Sequence, residues 1–68
     1  MSFHGTEHDA RHDISNELWT VSELLDAEGN ASAARDARDA AVNVAHGVIS
    51  VNRGIKAICK YENLLEGN

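Results

Sequence analysis

The sequence predicts an all-α protein: an antiparallel helical hairpin with a long second helix, whose copies assemble into a homo-oligomeric helix bundle. Two observations carry this. Ala34, Ala37, Ala41, Val44, Val48, Val51, Ile55 and Ile58 are all apolar and alternate steps of three and four, which is the a/d seam of an α-helix. Beside the seam runs a line of small residues seven apart, Ala33, Ala40, Gly47 and Gly54. A glycine inside a helix costs about 1 kcal/mol relative to alanine, so the line predicts close approach by another backbone or by a ligand.

Helix one is expected over about residues 7–27, with Ile14, Leu18, Val21 and Leu25 as its seam and Leu24 and Trp19 widening it. Thr6 is a candidate cap with Asp9 three residues on, and Ser15 is the alternative. The turn is residues 28–30: Gly29 suits a left-handed C′ position and Asn30 an N-cap. So short a connection makes the helices antiparallel neighbours. Helix two is expected over about residues 31–60, followed by a loose tail at 61–68 where the seam weakens. At 1.5 Å per residue it spans about 45 Å against about 30 Å for helix one, so part of it has no partner in its own chain. It is also apolar at Val42, Ala45 and Ile49, an arc wider than one helix covers. A homo-oligomer follows, with Ala37, Ala40, Ala41, Val44, Val48, Val51 and Ile55 at the interface.

At 68 residues the chain is at most one domain, and a core of that size supplies only about 3–5 kcal/mol. Cys59 is the single cysteine, so no disulfide reinforces it; it reads as a small core residue of a reducing, cytoplasmic compartment. The opening MSFHGTEHDARHD has no apolar core, so no signal peptide is expected, and no apolar run is long enough to span a membrane.

The net charge is −5, and it is unevenly spread. Residues 1–39 carry nine carboxylates against Arg11, Arg35 and Arg38, whereas residues 40–68 carry Arg53, Lys56 and Lys60 against Glu62 and Glu66. That field repels duplex nucleic acid while leaving room for a local basic site. His46, Arg53 and Lys60 are seven apart, with Lys56 between the last two and Asn43, Ser50 and Asn52 beside them. Guanidinium and ammonium groups beside Gly47 and Gly54 suit a phosphate-bearing ligand that comes close to the backbone. Gly47, Asn52, Arg53, Lys56 and Lys60 are the candidate ligand-binding residues.

Catalysis is not expected. The serines and Cys59 lack a glycine-rich elbow or a base at useful spacing. His4, His8 and His12 share a helix face, and the pair His8 and His12 has the spacing of two metal ligands. No closed set of four ligands accompanies them, so the segment reads as a polar end and no cofactor is expected. Trp19 reads as a cap on the bundle and Tyr61 as an interfacial packing residue.

The stretch Gly47-Val48-Ile49-Ser50-Val51-Asn52-Arg53-Gly54-Ile55, with Arg35 twelve residues before it, resembles the C-terminal helix of the phage anti-CBASS cyclic-nucleotide sponges. The resemblance is confined to helix two. It implies an oligomer of helical hairpins that holds a cyclic oligonucleotide signal between protomers without cleaving it, with Gly47, Arg53 and Asn52 at the site and Lys56 or Lys60 neutralising phosphate. The other class consistent with a short acidic chain is a helical hairpin that binds and inhibits a host protein through its negative first half, Asp36 and Asp39 included.

Overall fold

The computed structural model describes the backbone of residues 6–66 and the side chains of residues 9–66. Three helices, α1 (Thr6–Ala27), α2 (Ala31–Ala45) and α3 (Val51–Glu66), run up, down and up again, and the described residues contain no strand.

The first corner is the one its residues predict. Gly29 adopts φ 88°. Its N–H donates to Asp26 O (3.0 Å) and the N–H of Asn30 donates to Leu25 O (2.9 Å), the paired bonds of a Schellman ending. Asn30 then caps α2, its side chain accepting from the N–H of Ala33 at 3.3 Å.

The second corner corrects the long helix expected over residues 31–60. Gly47 adopts φ 78°, its N–H donates to Val44 O (3.1 Å) and that of Val48 donates to Asn43 O (2.8 Å). This repeats the Schellman ending, so Gly47 is a C′ glycine and not a helix-interior one. Ser50 starts α3 by accepting from the N–H of Arg53 on Oγ at 3.2 Å. The tail expected to be loose from residue 61 is helical through Glu66, because Tyr61 is buried and Leu65 packs against the core. Residues 67 and 68 of that tail, and the side chain of Thr6 as a cap, lie outside the described residues.

The core is built from small groups. Leu18, Val21 and Leu25 of α1 meet Ala33, Ala34, Ala37, Ala41 and Val44 of α2, and Ile58 and Tyr61 close the third side. Ser15 and Ser22 are buried with them. The Ser15 hydroxyl donates to Ala41 O at 2.9 Å and that of Ser22 to Trp19 O at 2.6 Å, so neither is left unsatisfied in an apolar setting. Ser15 is therefore a helix–helix contact and not a cap. Leu24 and Trp19, expected to widen the α1 seam, are instead 50% and 40% exposed, and Cys59 is on the surface.

Two interface expectations change as a result. Ala37, Ala41 and Val44 are fully buried within the folded-back protomer. Ala40 and Val51 are half-buried, while Val48 and Ile55 are exposed. The close approach signalled by the small-residue line is real at Gly54, but the neighbours belong to the same chain. A Cβ there would lie 2.6 Å from Ile14 Cγ2 and 2.8 Å from Val44 Cγ2.

Candidate functional site

The cap at Ser50 fixes the phase of α3 and with it the two faces of the helix. Gly54, Ile58, Tyr61 and Leu65 turn inward. Arg53, Lys56 and Lys60, three and four residues apart, stand together on an exposed face and span about 10 Å along the axis at 1.5 Å per residue. Among the described residues none of the three is paired with a carboxylate. Lys60 Nζ lies 5.5 Å from the Tyr61 ring centroid, a cation–π contact that leaves its N–H groups open to an anion. Asn52, exposed beside Arg53, adds an amide that both donates and accepts.

The other members expected at this site are elsewhere. His46 caps the end of α2, and with residues 46–50 in a turn its seven-residue spacing to Arg53 no longer places the two on one helix face. Gly47 neighbours α1: a Cβ there would lie 3.8 Å from Cζ and Nη1 of Arg11. Gly54 is buried and opens no path for a ligand. The nine residues that carry the resemblance to cyclic-nucleotide sponges are thus a turn followed by the first residues of α3.

Arg11 is the residue that sequence reasoning missed. Its Nη1 donates to Val44 O at 3.0 Å and to Ile49 O at 3.1 Å. It thereby adds a side-chain donor to Val44 O, which already accepts from the Gly47 N–H, and ties the turn to α1 through Ile49 O. A cation near a helix C-terminus also opposes the negative end of the dipole.

Tyr61 is the described group whose titration is clearly displaced. Its pKa is raised from the ordinary 10.0, first by burial and then by the negative fields of Asp36 and Asp39. The unfolded chain therefore loses this proton before the folded one does. Folding stability is unaffected by the group below about pH 10 and falls as pH rises beyond it. Urea unfolding between pH 9 and 11 is expected to show that decline, and Tyr61→Phe to flatten it.

The outer face of α1 carries charge of the opposite sign, with Asp13, Asn16, Glu17 and Thr20 lining a shallow open groove. His12 is exposed, while His4 and the His8 side chain lie outside the described residues. Among the described residues no group of three or more His, Cys, Asp or Glu is placed to hold a metal ion, and no helix is long and apolar enough to cross a membrane.

Residues 3–67 match the family model described as a domain of unknown function, DUF7273. The chain belongs to this family. No curated protein and no solved structure matches it. The DUF7273 match spans all three helices.

Proposed function

We propose that the protein is a non-catalytic binding module that holds an anionic ligand of the cyclic-nucleotide class along α3 and sequesters it in the cytoplasm, as a phage-type antagonist of an immune signal. The observation that carries this reading is the set of three exposed cations, Arg53, Lys56 and Lys60, without carboxylate partners among the described residues in a chain of net charge −5. An acidic protein gains nothing in stability from leaving its few cations unpaired on one face, whereas phosphates are bound by such groups through charge-assisted hydrogen bonds. The resemblance of residues 47–55 to the sponges supplies the ligand class, and Asn52 offers polar contacts to a base or ribose.

A thermal-shift series with cyclic di- and trinucleotides tests it. At a hundredfold excess over Kd a ligand stabilises the folded state by about 2.7 kcal/mol, and 1 kcal/mol moves the midpoint of a domain this small by about 4–8 °C. A clear upward shift is expected for the wild type, with loss of most of it in Arg53→Glu and weakening by salt. No shift with any cyclic nucleotide, or a shift that Arg53→Glu leaves intact, overturns the reading.

The acidic groove on α1 supports a second reading, an inhibitor that docks Asp13 and Glu17, with Asp36 and Asp39 of α2, on a basic surface of a host protein. The same variant separates the two, because Arg53→Glu abolishes nucleotide binding on the first reading and leaves partner capture unchanged on the second.

A further inference from the structure

We infer that the α2–α3 turn is a hinge, and that a second copy of this chain is bound by exchange of α3: residues 46–50 straighten, α2 and α3 join into one rod, and α3 of each copy occupies the α1–α2 groove of the other. The inference does not depend on the ligand reading.

Three observations converge on it. The apolar register of α2, ending at Val44, continues in phase through Val48 and Val51 to Ile55 and Ile58, as though the turn were absent. Folded back, that register is partly wasted, since Val48 is 69% and Ile55 43% exposed. The device that stops the helix is small: Gly47 at φ 78° and the Ser50 cap within the turn, and two hydrogen bonds that reach it from Arg11 of α1, to Val44 O and Ile49 O. The chain contains no proline to forbid a continuous helix across the hinge.

A rod covering residues 31–66 is far longer than α1 with its 22 residues, so straightening strips α3 from its own hairpin. The inward face of α3 then needs a groove shaped by Ile14 and Val44 around Gly54, and a second copy carries that groove. The contacts of α3 with the α1–α2 groove, though not those of the turn itself, re-form between two copies. In addition Val48, Val51 and Ile55 meet their counterparts where the two rods cross, so apolar surface left in water by the folded-back form is covered.

The test compares the native mass of the full-length wild type with that of Gly47→Ala over a range of concentrations. Alanine disfavours the left-handed turn in each of the two copies, so the dimer dissociation constant is expected to fall about a hundredfold, with residues 46–50 gaining helical protection from amide exchange. Val48→Asp with Ile55→Asp, both at positions exposed in the folded-back form, is expected to return the Gly47→Ala chain to a folded monomer. In a dimer mixed from isotope-labelled and unlabelled copies, of either the wild type or Gly47→Ala, nuclear Overhauser contacts between the Ile14 methyls and Gly54 should cross between copies. Monomer alone in both chains at millimolar concentration, or Ile14–Gly54 contacts confined to one copy of a dimer, overturns the inference.

Discussion

Val44→Asp is expected to leave the chain unfolded at 25 °C, whereas Val48→Asp is expected to leave it folded. Val44 is fully buried at the end of α2, and its methyls occupy the space over Gly54. Putting a carboxyl group there removes about 1.5–3 kcal/mol of apolar burial. It also buries a polar group without a partner, at a further cost of about 2–7 kcal/mol even when the acid takes up a proton. The sum, about 3.5–10 kcal/mol, equals or exceeds the roughly 3–5 kcal/mol that a core of this size supplies. Val48 lies in the turn with 69% of its surface in water, where substitutions usually change stability by no more than about 0.5 kcal/mol. Circular dichroism and amide chemical-shift dispersion distinguish the outcomes. Both variants folding, or both failing, would show that the turn does not separate these positions as described.

The contrast is sharp because the apolar pattern alone treats the two valines as equivalent. Much of the fold is legible in that pattern. The expected limits of helix one, about 7–27, agree with α1 at Thr6–Ala27, and the Gly29–Asn30 corner is used as its residue types predict. The alanines of α2 are legible as a packing stripe, although the helix they pack against is α1 of the same chain.

The turn at residues 46–50 is harder to read for a physical reason. Gly47 and Ser50 are standard stop and start signals, but the registers of α2 and α3 are in phase across them. The pattern on its own therefore supports both one rod and two helices. What decides is tertiary: a rod too long for α1 either turns back to cover itself or finds a second copy. The described fold turns back and buries Ile58 and Tyr61 in its own groove.

The cationic face divides along the same line. Arg53, Lys56 and Lys60 are legible together because they sit within one helix and keep their phase. His46 and Gly47 drop out because they precede the break. The role of Arg11 at the turn leaves no mark in the sequence, since the two acceptors it reaches there, Val44 O and Ile49 O, are backbone atoms without residue identity.

Gly54 gives the second large effect, and Gly54→Leu is expected to abolish the cooperative fold. The residue sits inside α3, where replacing glycine should on helix propensity alone gain about 1 kcal/mol. Space decides otherwise. The first atom of any side chain would stand 2.6 Å from Ile14 Cγ2 and 2.8 Å from Val44 Cγ2, well inside the separation of about 3.5–4.0 Å that carbon atoms prefer. Both neighbours are β-branched and stiff about χ1, so neither swings aside without moving its helix. Overpacking by a single methyl typically costs about 1–3 kcal/mol; set against the propensity gain, Gly54→Ala should be destabilised but folded. Leucine adds three further carbons to a site with no room for the first, and the bundle must then open along both α3 contacts at once. Denaturant titration of the pair, with Ile14→Ala placed behind Gly54→Ala, checks the cause. Trimming Ile14 removes the nearer clash, so the double variant should lose less stability than the two single losses added together. Strict additivity would mean that Ile14 does not press on this helix at all, and that the glycine is held for some other reason.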